Sequence, residues 1–440
     1  MAFRPLALDV DALPSLVAGL ARARPRPAIA WLDGDGSSPL GTRSYVGIGT
    51  TRALGSWDEI ATALDALART ASPSGPALVR TAPAATLALS YDLAWSMPLG
   101  LRAPERLARD RTTGAWILAH DATLAIDHAR GEAFLVGEDE PALDRLEAAL
   151  QAAPLPHASL GPITAEAGAP HLDAIGRALE AITRGDLYQV NLARAFRARL
   201  EGDPLALALA MRRASPVPLG LYLEGPVASG RALVMRTMER FLALDAATRR
   251  LETRPIKGTR PRAEGEDARV EADLLADEEE RAEHAMIVDL MRNDLGRVAT
   301  AGSVVVREAM RVEPYARLSH LVSVVEATAR PDVTLGALLE ATFPPGSVTG
   351  APKLAAIEHI EALEREARGF YTGAAGAIGR DGSLSLAVSI RTAQIDRGEV
   401  RYFAGGGIVE ASDPARELAE TDLKARVLSD AAAILAARSV

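Results

Sequence analysis

Arg254-Pro255-Ile256-Lys257-Gly258-Thr259-Arg260-Pro261-Arg262 is the stretch around which the rest of the chain is read. It holds Lys257, one of only three lysines (with Lys353 and Lys424) among 49 basic residues. Wherever a generic positive charge suffices, this chain uses arginine. An ammonium differs from a guanidinium in being a compact point charge that can lose its proton when desolvated and then attack carbon. Pro255 and Gly258 fix an unusual backbone path on either side of Lys257. Arg254, Arg260 and Arg262 are expected to disfavour a charged amine beside them. The stretch therefore predicts an anionic substrate next to a nucleophilic lysine, with a lysine kept by chance on the surface as the plain alternative.

Working outward, 440 residues suffice for two or three domains or one large duplicated one. A 48% hydrophobic content supports a real core, and a net charge of −9 argues against binding nucleic acid or an anionic membrane. The absence of cysteine excludes disulfides, thiolate metal sites and a cysteine nucleophile, and fits a reducing cytoplasm. Asp9 and Asp11 follow Met1-Ala2-Phe3-Arg4-Pro5 too soon for a signal peptide. No apolar run approaches the roughly 20 residues that span a bilayer. A cytoplasmic protein is expected.

All four tryptophans lie before residue 120 and all three lysines after residue 250. Between these halves, residues 152–170 are rich in Pro, Ala and Gly and read as a linker. Domains over 1–152 and 165–440 are expected. In the first, 86–93 and 115–119 read as strands, 57–70 as a helix, and Trp31 and Trp95 as core. In the second, apolar spacing predicts a helix over 171–184 closed by Gly185. A strand over 187–193 then turns Gln189 and Asn191 to one face. A strand over 232–244 is interrupted at Glu239-Arg240. On a helix over 278–293, Glu283 shares a face with Met286, Ile287 and Leu290, so its carboxylate needs a partner or a metal. Residues 346–353 read as a turn into a helix that ends at Arg368, with free N–H groups for an anion or simple capping. Strands over 383–395 and 399–403 precede Gly405-Gly406-Gly407. On the last helix, capped at Asp413-Pro414, Glu417, Glu420 and Lys424 lead an apolar stripe; an i,i+4 pair is the plain account of the last two.

Pattern alone names no reaction. The motifs do more. From about residue 165 onward the chain resembles the chorismate-utilising enzymes, which include component I of anthranilate synthase and of aminodeoxychorismate synthase, isochorismate synthase and salicylate synthase. The stretches that carry the likeness are GDLYQVNLAR (185–194), MERFLAL (238–244), RPIKGTRPR (254–262), RAEHAMIVDLMRNDLGRV (281–298), SHLVS around His320, GSVTGAPK (346–353), SIRT (389–392) and AGGGIV…ELAETDLKA (404–425). The first 150 residues match only loosely, around Thr42 to Gly49. In members that add water a lysine stands where this chain has Gln189. Anthranilate synthases carry alanine at the position of Lys257, whereas aminodeoxychorismate synthases carry lysine within PIKGT, as here. Departures are Thr237-Met238 for the usual Ser-Pro, and Pro-Pro-Gly for Pro-Gly-Gly before Ser347.

The resemblance implies an α+β fold like anthranilate synthase component I: two stacked antiparallel β-sheets forming a sandwich, helices outside, and the site in a cleft between sheets. It implies amination of chorismate to 4-amino-4-deoxychorismate for 4-aminobenzoate and folate, with anthranilate formation as the alternative. It implies Mg²⁺ held by Glu283, Glu420 and Glu417. Lys257 would be the nucleophile and Glu239 the general acid, with His320 near the ring. Gln189, Thr349, Arg391, Tyr402, Gly406, Gly407 and Lys424 would bind substrate, and Lys353 is a further candidate. Ammonia would come from a separate glutamine amidotransferase subunit. Some relatives hold a buried tryptophan in the N-terminal domain.

Overall fold

The computed structural model describes residues 1–437 except 37, 70–73, 105–113, 228, 263–266 and 316–317. Several helices begin at a capping side chain. Ser56 and Glu59 form a reciprocal capping box for Trp57–Ala68. Residue 70, to which the sequence carries this helix, lies outside the described residues. The Asp277 side chain caps Glu278–Gly296, and Gly185 ends Gly168–Arg184 at φ +83°. No helix among the described residues is long and apolar enough to cross a membrane.

The strands form two antiparallel sheets that share a corner. One runs Ala2–Pro5, Glu132–Gly137, Ala115–Asp127, Arg43–Leu54, Ala28–Asp33, Leu219–Glu224, Arg231–Thr237, Thr392–Asp396, Glu399–Ile408, Gln189–Gly202. The other starts from the same pair, Arg43–Leu54 and Ala115–Asp127. It continues through Pro83–Leu89, Ala374–Gly379, Leu384–Val388, Arg240–Leu244, Arg250–Arg254, Leu318–Thr328 and Val305–Pro314, and Ile256–Pro261 also pairs with Leu318–Thr328. The long shared pair bends at a bulge between Ile48 and Gly49. A Cβ on Gly49 would stand 1.9 Å from the Ala119 carbonyl oxygen, so only glycine fits the bend.

Alternation decides the layers. Ala30, Leu221, Leu223, Leu233 and Met235 of the first sheet meet Ala88, Ala375, Ala387, Trp116 and Phe370 of the second in one buried cluster. The inward alanines of the second sheet let the two backbones approach. The opposite face of the first sheet packs on Leu13–Arg22, Glu140–Ala149, Pro204–Ala214 and Pro414–Ala437. That of the second packs on Trp57–Ala68, Glu278–Gly296 and Leu335–Thr342. This is the expected α+β sandwich with helices outside. Residues on either side of 152–165 share both sheets, through Ala28–Asp33 with Leu219–Glu224 and Pro83–Leu89 with Ala374–Gly379. The stretch read as a linker is itself bound: Ala158–Leu160 and Thr164–Ala165 pair with Gln189–Gly202.

Several element boundaries correct the sequence reading. The expected strand over 86–93 is Pro83–Leu89, followed by a 3₁₀ turn Tyr91–Trp95. The helix expected to reach Arg368 ends at Leu363, because Glu364 and Arg368 turn into the core. There Arg368 pairs with Glu364 and donates to the carbonyl oxygens of Asn191 and Val348. Two strands read as single runs are each cut in two. Arg231–Thr237 and Arg240–Leu244 belong to different sheets, as do Leu384–Val388 and Thr392–Asp396. The chain thus crosses between sheets at Met238-Glu239 and at Ser389-Ile390-Arg391.

Candidate active site

Both crossings carry a residue singled out by sequence. Glu239 is buried, and Ser347 Oγ donates to its Oε1. Burial pushes its carboxyl up to about 7, against the opposing effects of Ser347 and the Lys257 charge. Such a group holds a proton near neutrality and can deliver it. Arg391, at φ +50°, has its guanidinium lowered by burial, and its charge acts on both His320 and Tyr402. Among the described residues it has no ion pair.

Between the crossings lies the central constellation. Lys257 comes from Ile256–Pro261 in the second sheet, and its Nζ donates to Glu283 Oε1 on Glu278–Gly296. Gln189 Nε2, from the first sheet, donates to the same oxygen at 2.9 Å. All three crowd Gly407: a Cβ there would stand 2.3 Å from Gln189 Nε2 and 3.0 Å from both Glu283 Oε1 and Lys257 Nζ. A side chain at 407 would therefore displace the ends of these three side chains, and glycine leaves them room to meet.

The glycine strand also presents an edge. Its register pairs Gly405, Gly406 and Gly407 with Ala193, Leu192 and Asn191. Asn191 N–H donates away from that pair, to the Thr349 carbonyl, and Ala193 N–H to Glu364. Antiparallel alternation then points the N–H groups of Gly405 and Gly407 outward, while Gly406 is committed to Leu192. Lys424 Nζ donates to the outward Gly405 carbonyl at 2.8 Å and pairs with Glu420 at 2.6 Å. Of the two glycines named from sequence, Gly407 is the one whose amide can meet an anion.

Glu417 lies 2.7 Å from the Cβ position of Gly406 and accepts from Ser412. Burial raises its pKa, and the charges of Glu420 and Glu283 push the same way. The three carboxylates thus share one negative field. Glu283 and Glu420 are each engaged by a lysine, and no three His, Asp or Glu side chains converge tightly enough to hold a metal among the described residues.

Other expectations are corrected. Tyr402 is fully buried on the helix-facing side of its strand, and its hydroxyl donates to the Lys424 carbonyl. It therefore does not present that hydroxyl to the cleft. Thr349 Oγ1 donates to Pro345 O, and Lys353 is buried against Asp294 and the Thr342 carbonyl, so both brace the turn. The expected cationic cluster around Lys257 is neutralised: Arg254 pairs with Glu313, Arg260 with Asp277 and Glu280, Arg262 with Asp267.

His320 is buried, and burial with the Arg391 charge lowers its pKa to about 4, so it is neutral. Its Nδ1 lies 3.0 Å from Thr259 Oγ1 and 3.3 Å from the Gly258 carbonyl, which can only accept and is served by a proton on Nδ1, and among the described residues Nε2 has no partner. Sequence reading missed Ser347 as the partner of Glu239. It also missed Tyr371, which stacks on Phe403 at 5.5 Å on the cleft side. The odd numbers of 403, 405 and 407, opposite in face to 402, are the signal that separates Phe403 from Tyr402.

The family model for chorismate binding enzymes matches residues 34–430. Anthranilate synthase component 1 of Aquifex aeolicus is 43% identical over 265 residues, covering 59% of this chain and 52% of that relative. An aminodeoxychorismate synthase of Streptomyces griseus is 42% identical over 261 residues, covering 59% of this chain and 35% of that relative. The chain thus matches about half, or less, of the length of these curated relatives. The crystal structure of anthranilate synthase component I from Streptococcus pneumoniae superposes with a TM-score of 0.73 at 25% identity, covering 98% of this chain and 92% of that one.

Proposed function

The chain belongs to the chorismate binding enzymes, and on that premise we propose that it is component I of an aminodeoxychorismate synthase. It would convert chorismate and ammonia to 4-amino-4-deoxychorismate, ammonia being supplied from glutamine by a separate amidotransferase subunit. The observation that carries this reading is Lys257, a lysine whose Nζ stands in the cleft against Gly407, across from Gln189. An amide at 189 has no basic lone pair with which to activate water, so hydration is disfavoured.

Arg391, the outward Gly407 N–H and Lys424 are suited to the two carboxylates of chorismate. Protonated Glu239 delivers its proton to the C4 hydroxyl as the Lys257 amine bonds to C2 and the C4–O bond breaks, releasing water. Ammonia then bonds to C4, the C2–nitrogen bond breaks, and Lys257 is regenerated. Before attack, Lys257 must leave Glu283 and give up a proton. Glu283, Glu420 and Glu417 carry hard oxygens of the kind Mg²⁺ takes, and a cation would relieve their mutual repulsion, but they would have to converge, with Lys257 releasing Glu283 and Lys424 releasing Glu420, to hold it. Bound there, Mg²⁺ would neutralise and orient a substrate carboxylate.

Anthranilate synthase component I is the second reading, favoured by the names of the Aquifex and Streptococcus proteins. The mass of the product formed from chorismate, Mg²⁺ and ammonium separates the two. An aminated product retaining the enolpyruvyl group is expected; fluorescent anthranilate without it would overturn the assignment.

A further inference from the structure

Two side-chain amides line the cleft with hydrogen-bonding capacity that the protein leaves unused. Gln189 is 1% exposed and Asn191 is 8% exposed, yet among the described residues the buried Gln189 Oε1 and Asn191 Oδ1 have no partner. Buried polar atoms are nearly always bonded, so such a pair calls for a ligand. The Gln189 orientation is fixed, because its Nε2 must face the Glu283 carboxylate, which only accepts when ionised. Its carbonyl oxygen is thereby left over. Asn191 stands two residues along the same strand, and so on the same face. It lies directly across from Gly407, the residue crowded by Lys257 and Glu283.

We propose that Asn191 and Gln189 together seat the nitrogen nucleophile, ammonia donating N–H to the two amide oxygens; this rests on the aminating function proposed above. Alternate residues on a strand are roughly 6.6 Å apart and one nitrogen with two bonds of about 2.9 Å spans at most ~5.8 Å, so the two side chains share one small donor only by leaning toward each other by about 1 Å. Amide oxygens orient ammonia by its N–H groups and leave its lone pair free for carbon. Water can occupy the same seat, but neither amide can deprotonate it, so it stays a poor nucleophile. A chorismate carboxylate is excluded, since two carbonyl oxygens repel it. The Asn191 side chain shares no bond with the backbone contacts of this residue to Thr349 and Arg368. Truncation therefore leaves those contacts in place.

The test is steady-state amination by the purified chain, varying ammonium and chorismate separately, for wild type, Asn191→Ala and Asn191→Ser. Asn191→Ala is expected to lose about tenfold in kcat/KM for ammonia, the worth of one hydrogen bond. Its KM for chorismate should stay within about twofold of wild type. Asn191→Ser, which keeps an acceptor, should recover part of the loss, and serves alone if the alanine variant does not fold. Unchanged use of ammonia by either folded variant, or an equal rise in the chorismate KM, overturns the inference while leaving the amination reading intact. No aminated product from wild type removes both.

Discussion

Helix Glu278–Gly296 carries two acids, each paired with one of the rare lysines, and the two pairs differ in what they leave over. Near its C-terminal end Asp294 holds Lys353, whose ammonium also reaches the Thr342 carbonyl; these side chains are 8% and 12% exposed and enclosed by core. Nearer the start Glu283 holds Lys257, with 17% and 15% exposed, and this pair meets a glycine and the half-used amide of Gln189. A rare lysine is thus no sign of chemistry in itself. The difference lies in the surroundings: one ammonium is held by two buried protein acceptors, the other stands where a substrate can displace its partner.

The largest effect that could break this contrast is at Lys257. Lys257→Arg keeps the charge but cannot supply a neutral amine. Amination should fall at least about a thousandfold, ~4 kcal/mol of transition-state stabilisation. Intact-mass analysis with chorismate and no ammonia should show a covalent adduct in wild type only. Equal activity in the variant would make the two lysines alike.

Lys353→Met should act on stability instead, by about 3–5 kcal/mol, because Asp294 is left buried and unpaired. The double variant Lys353→Met/Asp294→Leu should regain most of that loss. Urea midpoints measure both, and the chorismate KM of the folded fraction should not move.

Glu239 sharpens the contrast through pH. Its folded pKa, about 7, lies above the ordinary carboxylate value, so the native state binds the extra proton. Stability should therefore decline as pH rises from about 4.5 to 7, by on the order of 3 kcal/mol. Glu239→Gln should remove this slope, and the wild-type rate should lose its acid and fall above about pH 7. The smallest effect belongs to Lys424. Its pair with Glu420 is 40% and 46% exposed, so Lys424→Ala should cost under about 1 kcal/mol. A larger loss in the urea midpoint would make the pair structural.

Much of this was legible because motif and period agree. Lys257, Glu283, Gln189 and Gly407, which the sequence picked out, are brought together here, and the sandwich was implied by the family resemblance those motifs carry rather than by the pattern of helices and strands. What escaped was set by tertiary pairing. The breaks at Met238-Glu239 and Ser389–Arg391 are invisible to alternation, since each half-strand alternates correctly for its own sheet. Arg254, Arg260 and Arg262 read as a cationic cluster because their acidic partners come from 5 to 59 residues away. Tyr402 was avoidable: it is five residues from Gly407 and so on the other face.

The shared corner also sets a clock. Ala28–Asp33 pairs with Leu219–Glu224, and Pro83–Leu89 with Ala374–Gly379. At synthesis rates of roughly 5–20 residues per second, the first strand waits about 10–40 s for its neighbour and the second about 15–60 s. During that interval the early sheet built on Arg43–Leu54 and Ala115–Asp127 leaves Ala28–Asp33 and Pro83–Leu89 as open edges that can recruit other chains. The glycine strand and Pro414–Ala437 come later still, so a nascent chain gains its Lys257 nearly 170 residues before the Lys424 of the same site. A lower temperature of synthesis or added chaperone should then raise the folded yield while the urea midpoint stays the same.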